Sequence, residues 1–292
     1  MNNLSDISQT IIETINSIFQ HLFTSIDNNL YSLLDDITFI NSNIIKNYGF
    51  EKILGTSTTN GILLISNSLL LGFIIYYSIR YLLSHIIYTK IETPFSFIIK
   101  LILFGIFMNF SFFITETFIN IFYYITTAII DLGELIFNKP VCFSELISII
   151  NSYISTETTS LNIFSLDGFI KGSISFSLLN LVFSYSIRYI LVKVFVLLSP
   201  FAFLSLVLNN TSWFFKAWLK NFFSLLFIQI IISLILLILF SMDYNSSDLF
   251  TKLIYVGGLY SLIKVNSIVR DFIGGISTDV SQNVNKLLKF NK

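Results

Sequence analysis

The chain has 292 residues, 54% of them apolar, 16% aromatic and 12% charged, with 17 basic against 17 acidic side chains. A soluble domain carries roughly 25% charged residues, and the apolar residues here stand in uninterrupted blocks, which excludes a water-soluble globular domain. The neutral balance leaves no basic footprint for nucleic acid, and a single cysteine, Cys142, with only His21 and His85, excludes a disulfide framework or a thiolate metal site within the chain.

The opening residues, MNNLSDISQT, lack a basic n-region and a small-residue cleavage site, so no removable signal peptide is expected. Residues 1–60 are an expected amphipathic helical region outside the membrane. Leu4, Ile7, Ile11, Ile15, Ile18, Leu22 and Ile26 recur every three or four positions, and Leu30, Leu33, Leu34 and Ile37 continue toward Ile44 and Ile45. Helices that pack on one another or lie on a bilayer surface produce this pattern.

A transmembrane domain is expected over residues 61–270. Residues 61–79 are uncharged and are followed by Arg80, His85 and Lys90, which marks a first span. Pro94 stands at a helix start, and 95–114 forms a second span with Lys100 able to snorkel to its near interface. The stretch 118–130, about 13 residues between Glu116 and Asp131, is too short to cross comfortably. Residues 174–208 are too long for one crossing, about 52 Å as a straight helix. We therefore expect a span at about 174–193 and, with Pro200 as a helix break, a re-entrant or interfacial piece over 194–208. Thr211 then caps a helix whose Trp213, Lys216, Trp218 and Lys220 suit the headgroup region as an interfacial anchor. Residues 221–241 are a fourth span and 249–263, with Lys252, a fifth. A cytoplasmic tail, 271–292, carries Val280, Val284, Leu287 and Leu288 on one face. The expected fold is all-α: a polytopic transmembrane helical protein of about five spans, or seven if both ambiguous stretches cross.

Charge sets the expected orientation. With five spans and the N-terminal region outside, 12 of the 17 basic residues, from Arg80 to Lys100, Arg188 to Lys220 and Lys264 to Lys292, fall on the cytoplasmic side. Seven spans keep both ends in place, whereas adding only 118–130 would put Arg188 through Lys220 outside.

Neither a nucleophile, base and orienter set nor a phosphate-cradling loop is recognisable, so neither catalysis nor a cofactor is expected. The glycine pairs 257–258 and 274–275 read as close-packing or helix-end positions. Arg188 and Lys193 lie inside a long apolar tract, where an ionisable group is costly and marks function by default. Either both snorkel, since Lys193 lies about 28 Å along the helix from Ile174, or they line a polar path or meet a partner's carboxylate. Asn109, Glu116 and Asn120 form a second polar cluster, open to the same choice or to interhelical hydrogen bonding.

The tract Arg188-Tyr189, then Leu198-Ser199-Pro200-Phe201-Ala202-Phe203, then Thr211-Ser212-Trp213-Phe214-Phe215-Lys216-Ala217-Trp218-Leu219-Lys220, resembles the TrbL-type polytopic subunit of type IV secretion and conjugation systems, the sixth VirB component. The likeness covers about residues 61–270 in order and character, including the lysine-led second span with Asn109 downstream. It implies a non-catalytic component of a channel that moves DNA or protein across the bacterial plasma membrane, homo- or hetero-oligomeric. The implied partners are the assembly ATPase, the coupling ATPase, small bitopic subunits and lipid, with single-stranded DNA or a protein as transient substrate. A secondary transporter with Arg188 as a midplane ligand and a holin-like or immunity membrane protein are the rival expectations.

Overall fold

A computed structural model describes residues 10–19, 21, 31, 33–55, 60–88, 91–155, 166–242 and 249–274. The tail positions Val280 to Leu288 and the N-terminal positions Leu4, Ile7, Leu22 and Ile26 lie outside them. Among the described residues the chain is helical and contains no strand, an all-α polytopic membrane protein. After helical turns at 10–19 and 33–38 and a 3-10 turn at Ser42–Ile44 come α1 (Tyr48–Leu54), α2 (Ile62–Ile87), α3 (Pro94–Asn109), α4 (Ser111–Phe137) and α5 (Phe143–Ser155). Then follow α6 (Leu166–Leu204), a 3-10 turn at Asn209–Thr211, α7 (Ser212–Phe240) and α8 (Leu249–Ile273).

Four helical stretches are long and apolar enough to cross a membrane: Ile62–Ile87, Ser111–Phe137, Gly168–Leu204 and Asn209–Phe240. Their outward faces stay apolar, with Ile75, Leu82, Phe113, Leu135, Phe176 and Ile238 all exposed. Such a surface suits hydrocarbon and not water.

Two expected boundaries are corrected. The expected second span at 95–114 is broken at Phe110, leaving α3 with 16 residues, about 24 Å, short of the ~30 Å hydrocarbon core. The stretch 118–130, expected to be too short, lies inside the 27-residue α4. Glu116 and Asp131 did not end the helix because each belongs to its surface, and Glu116 is neutralised by Lys46 2.6 Å away.

Contacts fix the sense of each pass. Tyr77 stacks on Phe97 and Asn67 pairs with Asn109, so α3 returns along α2. Phe118 meets Phe223 and Phe137 meets Phe240, so α4 runs parallel to α7. Phe107 meets Phe203 while Lys100 reaches Asn209, so α3 runs against α6, in the same sense as α4, and the two make one interrupted pass. Phe195 with Trp218 and Arg188 with Gln229 make α6 and α7 antiparallel. Lys220 lies against Gly274 and Leu239 against Gly258, so α8 runs back along α7. Among the described residues the bundle therefore has five legs of alternating sense, α2, α3–α4, α6, α7 and α8, of which α8 is not one of the four stretches apolar enough to cross.

The core is a seam with heptad-like spacing. On α6, Ile174, Leu178, Leu181, Tyr185, Arg188, Val192 and Phe195 are all buried. On α7 the same alternation of four and three gives Trp218, Phe222, Leu225, Gln229, Ile232, Leu236 and Leu239. On α8 it gives Tyr255, Leu259, Leu262, Asn266 and Val269. This spacing lets helices pack side by side at a shallow angle.

Gly258 sits where α8 meets Leu239, so a side chain there would collide with it, whereas Gly257 faces open space. Gly274, at φ 71, ends α8 in the left-handed conformation that glycine supplies. Both glycine pairs, so far as they are described, therefore act in packing and at a helix end. Gly258→Leu should lower the thermal unfolding midpoint of the purified protein, by overpacking worth about 1–3 kcal/mol, while Gly257→Leu should leave it unchanged; equal effects would contradict the α7–α8 packing.

Candidate functional site

Arg188 is 0% exposed, in the middle of the α6 seam. It is too enclosed to snorkel. Its Nη2 donates to the Thr38 carbonyl oxygen at 2.7 Å and to Gln229 Oε1 at 3.3 Å, and it lies beside the Tyr185 ring. No salt bridge to Arg188 is found among the described residues, and Nε and Nη1 have no partner there. Gln229 Nε2 and Thr38 Oγ1 are likewise buried without a partner. Four polar atoms of three side chains with spare capacity thus share one buried centre, an arrangement that burial makes costly.

The carbonyl that Arg188 binds comes from the N-terminal segment, which threads into the bundle. Thr38, Ile40 and Ile45 are fully buried, and the Ile40 N–H donates to the same Gln229 Oε1 at 3.1 Å. Upstream, Asp35 accepts hydrogen bonds from the backbone N–H groups of Phe143 and Ser144 and from the Ser144 hydroxyl, at 2.8, 3.2 and 2.6 Å. It thereby satisfies the free donors at the N-terminus of α5, where a carboxylate is also favoured by the helix dipole. Downstream, Lys46 pairs with Glu116 of α4. Within the expected amphipathic region 1–60, residues 34–45 thus pack into the bundle, while α1 leaves most of its residues exposed beside it. Residues 10–19 are helical and expose Ile11, Ile12 and Ile18.

The other expected site residues lie elsewhere. Lys193, one position off the buried stripe, places its ammonium 4.8 Å from the Tyr189 ring centre. Asn109 pairs with Asn67 of α2, so interhelical hydrogen bonding accounts for it. Glu116 is held by Lys46, and Asn120 stands half-buried one turn on. The structure does not join these residues to Arg188.

The Pro200 break and the Trp218 anchor are both corrected. The helix α6 continues through Pro200 to Leu204, so 194–204 is not a separate re-entrant piece. A proline removes the N–H that would bond the carbonyl four residues earlier, here that of Val196, and the Ser199 hydroxyl donates to that oxygen instead, at 2.7 Å. Trp218 is 2% exposed, stacks on Phe222 and donates its indole N–H to the Phe195 carbonyl at 2.8 Å. The Ser-Pro and Trp positions are thus one device, two side-chain donors serving adjacent carbonyls in the turn before a proline. Trp213, Lys216 and Lys220 remain exposed, as an interfacial anchor requires.

No family model, curated protein or solved structure matches this chain. The site is therefore argued from its own chemistry. Among the described residues no group of three or more His, Cys, Asp or Glu could hold a metal ion. What the centre offers is a fixed positive charge and amide donors shielded from lipid, able to bind a carbonyl, a carboxylate or ordered water.

Sequence reasoning missed Gln229, Thr38, Asp35 and Asn266. Gln229 is the lone amide in the apolar run 222–240, and a heptad reading of α6 and α7 puts it and Arg188 on buried stripes, so the signal was present. Asn266 donates to the Ser184 hydroxyl across the α6–α8 contact. The Asp35 cap and the Thr38 carbonyl have no such signal, because both partners are more than 100 residues away.

Trp218→Phe, which keeps the stacking and removes the N–H, should destabilise the purified protein by about 1–2 kcal/mol in denaturant or thermal unfolding. Trp213→Phe at the exposed position should change nothing, and an equal loss at both would contradict the buried assignment.

Proposed function

We propose that the chain is a non-catalytic scaffold or channel subunit of a type IV secretion or conjugative transfer apparatus, which moves DNA or protein across a bacterial plasma membrane. The observation that carries the reading is Arg188, a permanent cation buried with unused donors inside an apolar bundle, where an ionisable group marks a path or a partner contact. The stretch from Arg188 to Lys220, in which the resemblance is strongest, forms the antiparallel α6–α7 pair around this centre.

The charge distribution supports an N-outside, C-inside orientation. Arg80, Lys100, Lys216, Lys220 and Arg270 gather toward the end of the bundle that holds the α6–α7 turn, and Asp35, Asp131, Glu134 and Glu145 toward the other. Partners on this reading are the assembly ATPase, the coupling ATPase and small bitopic subunits, with further copies of the chain. Substrate contact is transient and electrostatic.

Deleting the gene should abolish conjugation or secretion in a host that carries the apparatus, and undiminished transfer would overturn the proposal. In the complemented strain, Arg188→Ala should leave membrane insertion intact and reduce transfer, while Lys193→Ala should leave transfer near wild type. Substrate uptake by the purified chain alone would instead favour the transporter, with Arg188 as its ligand.

A further inference from the structure

A second site lies away from Arg188, at the basic end of the bundle. Tyr76, Tyr77 and Arg80 of α2, Ile91 and Glu92 of the α2–α3 connection, and Leu208 to Asn210 before α7 enclose a cavity of about 170 Å³. Arg80 is exposed at its wall, and no hydrogen bond or ion pair engages it among the described residues. The one carboxylate there, Glu92, is bound by Lys100 and by the Ser96 hydroxyl, and those hydrogen bonds hold its carboxyl below the usual carboxylate range. Lys100 also donates to Asn209 Oδ1 at 3.0 Å, which binds the α6–α7 turn to α3. The balance around the cavity is one positive charge in excess, with the Asn210 amide beside it.

The surroundings choose between sources of an anion. Tyr77 stacks face to face on Phe97 at 3.8 Å between ring centres, and this pair also walls an apolar groove of about 400 Å³ lined by Ile74, Tyr81, Leu82, Pro94 and Ile98. Ile79, Leu82 and Ile98 on the same helices are exposed apolar residues, and Trp213 is exposed just beyond Asn210. Polar and apolar binding space therefore adjoin across one aromatic wall, at the depth where basic residues and tryptophan collect in membrane proteins. A free phosphate uses only the first of these; a phospholipid uses both.

We propose that this cavity is a binding site for the headgroup of an anionic phospholipid, with Arg80 as its cationic contact and the adjoining groove receiving acyl chain. Basic pockets between spans bind anionic headgroups by the same chemistry. The site rests on the membrane character of the bundle alone and stands apart from the transfer proposal.

The test uses the full-length protein purified in neutral detergent, with the thermal midpoint and native mass spectrometry as readouts. Phosphatidylglycerol should raise the midpoint and appear bound one to one, while phosphatidylcholine at the same mole ratio and inorganic phosphate should do neither. Arg80→Gln should keep the wild-type midpoint in phosphatidylcholine and bind phosphatidylglycerol about fivefold more weakly, the loss expected for one basic contact. Arg80→Lys should bind near wild type. Equal stabilisation by the two lipids, or undiminished phosphatidylglycerol binding by Arg80→Gln, would overturn the proposal. Stabilisation by inorganic phosphate that competes with the lipid would make this a free-anion site and overturn the lipid assignment.

Discussion

Placing a guanidinium in the middle of an apolar bundle is the constraint on which the rest of the structure depends. Arginine cannot shed its charge, and a transmembrane helix leaves no free backbone carbonyl in mid-course with which to satisfy it. At Arg188 the acceptors must come from outside the helix, and the bundle supplies two: the amide oxygen of Gln229 and the carbonyl of Thr38, the last residue of the helical turn 33–38. That requirement fits the way residues 34–45 pack within the bundle rather than on its surface. It also explains their other ties, since a segment inserted so far needs its remaining polar groups met. Asp35 finds the N-terminus of α5, the Ile40 N–H finds Gln229 and Lys46 finds Glu116.

The same residues give the seam its register. Stripes of Leu, Ile and Phe alone would pack almost as well after a slip of one heptad, whereas a polar side chain at a single buried position ties each helix to one alignment. Arg188 on α6, Gln229 on α7 and Asn266 on α8 each meet a partner on another element. Specificity gained in this way carries a cost in unsatisfied donors, and Arg188 Nε and Nη1 bear it.

Much of the fold was legible in the sequence because lipid imposes simple rules. Long apolar runs gave most of the helices and their order along the chain. The boundaries were legible only where local chemistry decided them, as at Pro94. At Phe110 no proline or glycine marks the break, and at Glu116 the ion pair that lets the helix continue comes from Lys46, 70 positions earlier. Pro200 misled for a related reason: the Ser199 hydroxyl that serves the carbonyl freed by it is visible as a letter but not as a donor. Arg188 was recognised as unusual from the sequence, yet its burial was readable only from the stripe it shares with Tyr185 and Val192.

The account stands or falls on whether Arg188 holds the N-terminal segment inside the bundle. Hydrogen–deuterium exchange on the full-length protein in lipid nanodiscs, read over residues 33–54, measures this most directly. Slow exchange across Thr38 to Ile45 in the wild type, and fast exchange there but not in α7 when Arg188 is replaced by alanine, is the predicted result. Rapid exchange of the segment in the wild type, or protection unchanged in the variant, would contradict it.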